Sequence, residues 1–227
     1  MNRPDRPGAA LLELVAVMDR LRSPGGCPWD AEQTHSSLLK YLVEETYETI
    51  EAVESGDRAH LREELGDLLL QVVFHARIAA EDAADPFDID DVAAGIAAKL
   101  VRRHPHVFAD EVAETAADVE ANWEKLKAAE KGRTSAMDGV PLAQPALALA
   151  DKLLSRAEKA PLVVPVPQAD VPADADLGEL LFATVAAARA RGLDAEAELR
   201  AACRRFAATV RDLESAAARE PGEGGGA

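Results

Sequence analysis

Apolar residues recur at helical spacing along most of this chain, and this pattern predicts an all-α protein. The predicted helices cover about residues 9–21, the 32–37 region to 54, 58–82, 89–103, 116–131, 141–159, 177–190 and 195–214. Between the first two helices lies the turn-rich segment SPGGCPWD, in which Asp30 suits a helix N-cap. Asp57 suits the N-cap of the third helix, and His104-Pro105 ends the fourth.

Composition shifts along the chain predict the domain organisation. Residues 1–8 read as a disordered leader and residues 9–160 as a first helical domain. Residues 161–175 are rich in proline, which predicts an extended linker. Residues 176–218 form a second helical hairpin, and the glycine-rich residues 219–227 a disordered tail.

The second hairpin partly repeats the first domain. The sequence LGDLL at 65–69 resembles LGELL at 177–181, and the similarity continues through Arg77 and Arg189. No EExxE sequence precedes the second copy, because the proline-rich segment occupies that place. We interpret the second copy as a degenerate half that packs or dimerises without catalysing.

Charge and cysteine content exclude several classes of function. The chain has 41 acidic and 25 basic residues, a net charge of −16, which argues against general nucleic-acid binding. Its two cysteines lie far apart, so they form neither a disulfide framework nor a zinc pattern. The N-terminal sequence lacks the apolar run of a signal peptide, and no segment is long enough to span a membrane. We therefore expect a cytoplasmic protein.

Two pairs of acidic residues flank the short turn Ser55-Gly56-Asp57. In an antiparallel helical hairpin centred on Gly56, residues at the same level have numbers that add up to 112. Glu45 then faces Asp67, and Glu48 faces Glu64. Both pairs lie about 12 Å from the turn at a rise of ~1.5 Å per residue. Four converging carboxylates repel one another and need a cation, and all-oxygen ligands favour Mg²⁺.

In a chain this acidic, such pairs also arise by chance on a solvated helix face. The apolar stripe that we predict to be buried on the third helix decides between the two interpretations. It consists of Leu61, Leu65, Leu68 and Val72. Glu64 and Asp67 flank that stripe. Acids beside a core are costly unless they are paired or bind a metal, so the pattern favours a metal site.

The acidic motifs occur together with GCPWDAEQTH, KLVRRHPHVF and Asn122-Trp123-Glu124. In this combination the region from about Leu11 to Lys159 resembles the MazG family of nucleoside triphosphate pyrophosphohydrolases. The resemblance implies an all-α helical-bundle fold, usually dimeric, that hydrolyses NTPs or dNTPs to the monophosphate and pyrophosphate. Two-domain members carry tandem copies, in some of which the second copy is the active one. Here any activity must belong to the first copy, since the second lacks EExxE.

The expected mechanism places Mg²⁺, with Mn²⁺ as a substitute, on Glu45, Glu48, Glu64 and Asp67. The metal would activate a water for attack at the α-phosphorus and neutralise the triphosphate. Glu44 either orients that water or a neighbouring ligand, or is a solvated helix acid.

Basic and aromatic residues supply candidate substrate contacts. Lys99, Arg102 and Arg103 share a helical face and suit phosphate, although cations at a helix C-terminus also favour the helix dipole. Lys127 is a weaker candidate. Trp29 lies in a loop before the acid-bearing helix and could stack on a base, although tryptophans more often belong to a core.

Two other interpretations compete with the hydrolase. A di-iron bundle requires ExxH motifs on two helices, and only Glu32-x-x-His35 fits. A non-catalytic interaction module could bind Mg²⁺ structurally in an acidic helical bundle, and the second copy suggests that this fold can persist without ligands. The complete acidic set in the first copy argues against that module. We therefore expect nucleoside triphosphates as substrates and a homodimer as the assembly, with neither nucleic acid nor membrane as a partner.

Overall fold

A computed structural model describes residues 7–109, 115, 118–119, 123, 135–160, 164–165 and 176–219, with side chains to residue 215. Within these residues the secondary structure is helical, without strands. The helices are α1 (Ala9–Arg22), α2 (Pro28–Glu32), α3 (His35–Ser55), α4 (Arg58–Ala79), α5 (Ile89–Arg103), α6 (Pro105–Phe108), α7 (Ala146–Glu158), α8 (Leu177–Ala190) and α9 (Ala195–Arg219). The all-α prediction is confirmed. The contacts divide the chain into two compact units, Met1–Glu124 and Lys125–Ala227.

Most helix boundaries agree with the sequence pattern, and two predictions are wrong. Asp30 is not an N-cap, because CPWD begins the short helix α2 with Cys27 as its cap, and Thr34 caps α3. Helix α7 begins after Pro145 rather than at Pro141. The predicted helix over 116–131, the linker, the leader and the tail lie largely or wholly outside the described residues.

Helices α3 and α4 form the predicted hairpin about Gly56. Thr34 starts α3 with a capping box, in which Thr34 and Ser37 exchange side-chain to backbone hydrogen bonds. Gly56 ends α3 at φ +74°, a left-handed conformation that glycine adopts without penalty. Asp57 then caps α4 by accepting hydrogen bonds from the backbone N–H groups of Ala59 and His60. These local signals fix the length of the turn and hence the register of the two helices.

The core of the first unit joins α1, α3 and α4 through four buried side chains: Met18, Leu38, Val73 and Phe74. The predicted buried stripe of α4 is wrong, since Leu65 and Val72 are 52% and 42% exposed. Apolar residues cover so much of the α4 circumference that periodicity alone does not select the face. The structure buries the face that includes Glu64 and Gln71.

Arg22 links the end of α1 to α2 and to α4. Its side chain is 4% exposed and makes two hydrogen bonds to the carboxylate of Glu81, with N–O distances of 3.0 and 2.7 Å. It also donates to the backbone carbonyls of Asp30 and Gln33, and its guanidinium lies over the Phe74 ring. These contacts hold the segment that carries Trp29 against the hairpin.

The second unit packs α7, α8 and α9 around Ala150, Leu154 and Val185. Arg189 of α8 bridges Asp151 and Glu158 of α7 at 2.9 and 2.8 Å. The predicted first domain extended to residue 160, whereas in the structure α7 packs with α8 and α9.

Positions that the internal repeat equates behave alike in the two units. Val73 and Val185 are both buried, at 2% and 1% exposure. Arg77 forms ion pairs with Asp19 and Glu81, much as Arg189 does with two acids of α7. The residues that align in the predicted repeat thus occupy similar packing positions on α4 and α8.

Candidate metal centre

The α3–α4 hairpin brings three acidic side chains of the two motifs together. Glu45 and Glu48 lie one turn apart on α3, and Glu64 approaches them from α4. One carboxylate oxygen from each lies within 4.8 Å of the others. Such a cluster matches the geometry of oxygen ligands that surround a hard cation.

Glu64 is the buried member of the cluster, at 6% exposure. Its Oε2 atom is buried and has no hydrogen-bond partner among the described residues. Burial raises the pKa of the Glu64 carboxyl group, and the negative charge of Glu48 raises it further. A buried carboxylate oxygen without a partner is costly, so this atom is suited to a ligand that carries positive charge.

The charges of the four acids agree with the facing pairs predicted for the hairpin. Burial also raises the pKa of Glu45, and the largest electrostatic contribution to that shift comes from Asp67. For Glu64 the largest electrostatic contribution comes from Glu48. Each glutamate therefore responds most strongly to the acid that was expected to face it across the hairpin.

The other two candidate acids lie outside the trio. Asp67 is half-buried and close enough for its charge to raise the pKa of both Glu45 and Glu64. Glu44 is exposed and does not belong to the three-residue cluster. The structure thus brings Asp67 beside the cluster and leaves Glu44 on the solvent side of α3.

One contact of the cluster was missed at the level of sequence. His60, in the first turn of α4, places Nε2 2.9 Å from Oε1 of Glu64. The spacing between them is i, i+4, which could have signalled the contact. The sequence analysis considered acids as metal ligands and basic residues as phosphate contacts. It did not consider side chains that hold the metal ligands in place.

The residues predicted to contact the substrate differ in exposure and lie on different elements. Lys99 and Arg102 are exposed on α5, and Arg103 is buried at 8% exposure. Helix α5 packs against α4, which carries Glu64. Trp29 is 49% exposed and meets the rings of Tyr41 and Phe74 edge-on, so it belongs partly to the core and partly to the surface. Lys127 lies outside the described residues.

The residues of this cluster fit a magnesium ion. All donors are carboxylate oxygens, and Mg²⁺ is bound in proteins through one or two carboxylates, water and substrate phosphates. The partnerless Oε2 of Glu64 adds an atom that a cation would satisfy. Fold and cluster together define an all-α protein whose α3–α4 hairpin carries three carboxylates that could hold a metal ion.

Comparison with known proteins identifies the family. Residues 33–108 match the family model of the MazG nucleotide pyrophosphohydrolase domain. A nucleoside triphosphate pyrophosphohydrolase from Escherichia coli K12 is 40% identical over 242 aligned residues, covering 94% of this chain and 88% of that protein. One from Mycolicibacterium smegmatis is 48% identical over 216 residues, covering 94% and 62%. An uncharacterized 26.1 kDa protein from Streptomyces cacaoi is 56% identical, covering 92% and 85%. The chain belongs to the MazG family of nucleotide pyrophosphohydrolases.

Among the described residues, no helix has the length and apolarity needed to cross a membrane.

Proposed function

We propose that this protein hydrolyses nucleoside and deoxynucleoside triphosphates to the monophosphate and pyrophosphate in a Mg²⁺-dependent reaction. The observation that carries the proposal is the clustering of Glu45, Glu48 and Glu64 within 4.8 Å on the hairpin of a MazG domain. The names of the related enzymes support the same reaction class.

The acidic residues hold the metal centre in this proposal. Glu45, Glu48, Glu64 and Asp67 provide oxygen ligands, and the rigid α3–α4 register keeps them in place without substrate. Mg²⁺ held by these residues, or Mn²⁺ in its place, would lower the pKa of a water for attack at the α-phosphorus and would offset the charge of the triphosphate. Glu44, on the solvent side of α3, orients that water or a neighbouring ligand.

Cationic and aromatic residues hold the substrate. Lys99 and Arg102 are exposed on α5 and suit contacts with the triphosphate. The exposed half of Trp29 offers an aromatic surface on which a base can stack. The proposed enzyme acts on the free nucleotide pool in the cytoplasm, either by removing aberrant nucleotides or by controlling nucleotide levels.

The position of attack can be tested with isotopic water. Hydrolysis in H₂¹⁸O should place the label in the nucleoside monophosphate, because attack at the α-phosphorus forms the new P–O bond there. Label in pyrophosphate would instead indicate attack at the β-phosphorus. Orthophosphate as the first product would contradict the proposed reaction.

The assembly proposed for this chain is a homodimer with a degenerate second MazG copy. Large apolar side chains of the hairpin are exposed, including Leu39, Val43 and Leu65 at 55%, 53% and 52%. A second copy of the hairpin would cover them. Light scattering during size exclusion should give twice the mass of the chain, and a Leu65→Gln/Val43→Gln double variant should shift the mass toward the monomer. A monomeric wild-type protein would contradict this assembly.

A non-catalytic module that binds Mg²⁺ structurally is the alternative. It predicts thermal stabilisation by Mg²⁺ without turnover of any nucleotide. A hydrolase should show both stabilisation by Mg²⁺ and turnover of a nucleotide. Measuring both on one preparation of protein therefore distinguishes the two functions.

A further inference from the structure

Among the described residues, His60 makes a close ion-pair contact with a carboxylate oxygen of Glu64. The Nε2–Oε1 distance is 2.9 Å, and the two residues lie one turn apart on α4. The Glu64 side chain is 8% exposed and that of His60 is 37% exposed. The imidazole therefore reaches from the surface to one oxygen of a buried carboxylate.

This contact distinguishes the two carboxylate oxygens of Glu64. Oε1 lies 2.9 Å from Nε2 of His60, whereas Oε2 is buried without a hydrogen-bond partner among the described residues. Carboxylates that bind metals are themselves held by hydrogen bonds from neighbouring groups, which fix their rotation. With Oε1 engaged, Glu64 offers a single oxygen to a metal.

The backbone beneath His60 is fixed as well. The Oδ1 atom of Asp57 accepts hydrogen bonds from the N–H groups of Ala59 and His60, at 2.9 and 3.1 Å. The first turn of α4 is thus pinned directly after the glycine turn. The His60 side chain therefore extends from a capped first turn of α4.

We infer that His60 is a positioning residue, which rotates Glu64 so that Oε2 serves as a single-oxygen ligand for the metal. The inference rests on the proposed function. Mg²⁺ demands near-octahedral geometry, whereas Ca²⁺ accepts carboxylates through both oxygens. By occupying Oε1, His60 therefore also favours Mg²⁺ over Ca²⁺ at this centre.

The test measures Mn²⁺ binding to metal-free, nucleotide-free protein by electron paramagnetic resonance, with Mg²⁺ and Ca²⁺ as competitors. The His60→Ala variant should bind Mn²⁺ roughly 10- to 100-fold more weakly, the usual effect of losing such a partner. It should also discriminate less between Mg²⁺ and Ca²⁺. The His60→Gln variant retains an N–H donor of similar reach and should recover most of the affinity.

The matched control is Ala59→Gly, which weakens the same helical turn without removing the bond. Near wild-type Mn²⁺ affinity in this control, beside the loss in His60→Ala, would support the positioning role. Equal losses of Mn²⁺ affinity in both variants would mean that only the stability of the helix affects binding. An unchanged Mn²⁺ affinity in His60→Ala would mean that the contact with Glu64 has no role. Either result overturns the inference while leaving the metal centre intact. Wild-type protein that binds no Mn²⁺ would overturn the metal centre itself, and the inference with it.

Discussion

Burial raises the pKa of the Glu45 carboxyl group on α3, and the negative charge of Asp67 on α4 raises it further. Glu48 stands in the same relationship to Glu64. Two like-charged contacts across one helical hairpin oppose folding unless a cation offsets them. The metal-free hairpin should therefore be less stable than a hairpin in which a cation offsets these charges.

The raised pKa values of Glu45 and Glu64 predict how stability depends on pH. A carboxyl group with a raised folded-state pKa binds protons more tightly in the folded protein than in the unfolded chain. Its stabilising contribution is therefore present below the ordinary glutamate pKa and is lost as pH rises through the folded-state pKa. Without metal, the unfolding free energy of the wild type should therefore fall relative to that of Glu64→Gln as the pH rises through the folded-state pKa. Urea unfolding at several pH values with chelator would measure it, and a pH-independent difference would contradict the account.

Addition of metal should reverse this loss. A ligand that binds only the folded state stabilises it by about 2.7 kcal/mol at one hundred times its dissociation constant. Mg²⁺ should therefore raise the melting temperature of the wild-type protein, and Asp67→Asn should reduce the rise because one negative charge beside the cluster is removed. Glu51→Gln, an exposed acid one turn beyond Glu48 on α3, is the control and should respond like the wild type.

Replacement of Arg22 should destabilise the first unit. Arg22→Ala removes the hydrogen bonds to Glu81 and the donors to two backbone carbonyls, so we expect a loss of roughly 2–3 kcal/mol in unfolding free energy. Arg20→Ala is the matched control on the same helix, since Arg20 makes only exposed hydrogen bonds to the carbonyls of Pro24 and Gly25. Similar losses in the two variants, measured by urea unfolding, would argue against the importance of the buried contacts.

Two glycines should respond to alanine in opposite directions. Gly56 has φ +74°, and no heavy atom lies within 4 Å of the place that an alanine Cβ would take, so Gly56→Ala should cost about 1 kcal/mol through backbone conformation alone. Gly95 lies within α5, also with open space at that place, and Gly95→Ala should stabilise by up to ~1 kcal/mol. Thermal unfolding of both variants checks the signs, and stabilisation by Gly56→Ala would contradict the left-handed turn.

The α3–α4 hairpin was predictable because its signals are local. Asp57, Gly56 and the spacing of the acids fix the turn and the register, and the electrostatic pairing of Glu45 with Asp67 follows from that register. The end of helix α5 was likewise marked by the His104-Pro105 sequence.

The parts that failed depend on packing between distant segments. Leu65 was expected in the core because its helical spacing fits an apolar stripe, but α4 carries apolar residues on several faces. Only the packing of α1 and α3 selects the face that is buried. In the same way, Asp30 fits the chemistry of an N-cap, yet the cap of α2 is Cys27 and Arg22 binds the Asp30 carbonyl. The contact of His60 with Glu64 had a local signal, the i, i+4 spacing, which the acid-centred interpretation did not use.

The most direct test of the central claim is product release from a panel of NTPs and dNTPs with Mg²⁺, comparing wild type, Glu48→Ala and the control Glu51→Ala. The wild type and the control should release monophosphate and pyrophosphate in equal amounts. Both products should be lost in Glu48→Ala and in the presence of chelator. Full activity of a folded Glu48→Ala protein, or no turnover of any nucleotide by metal-loaded wild type, would contradict the claim that this carboxylate cluster is the active centre.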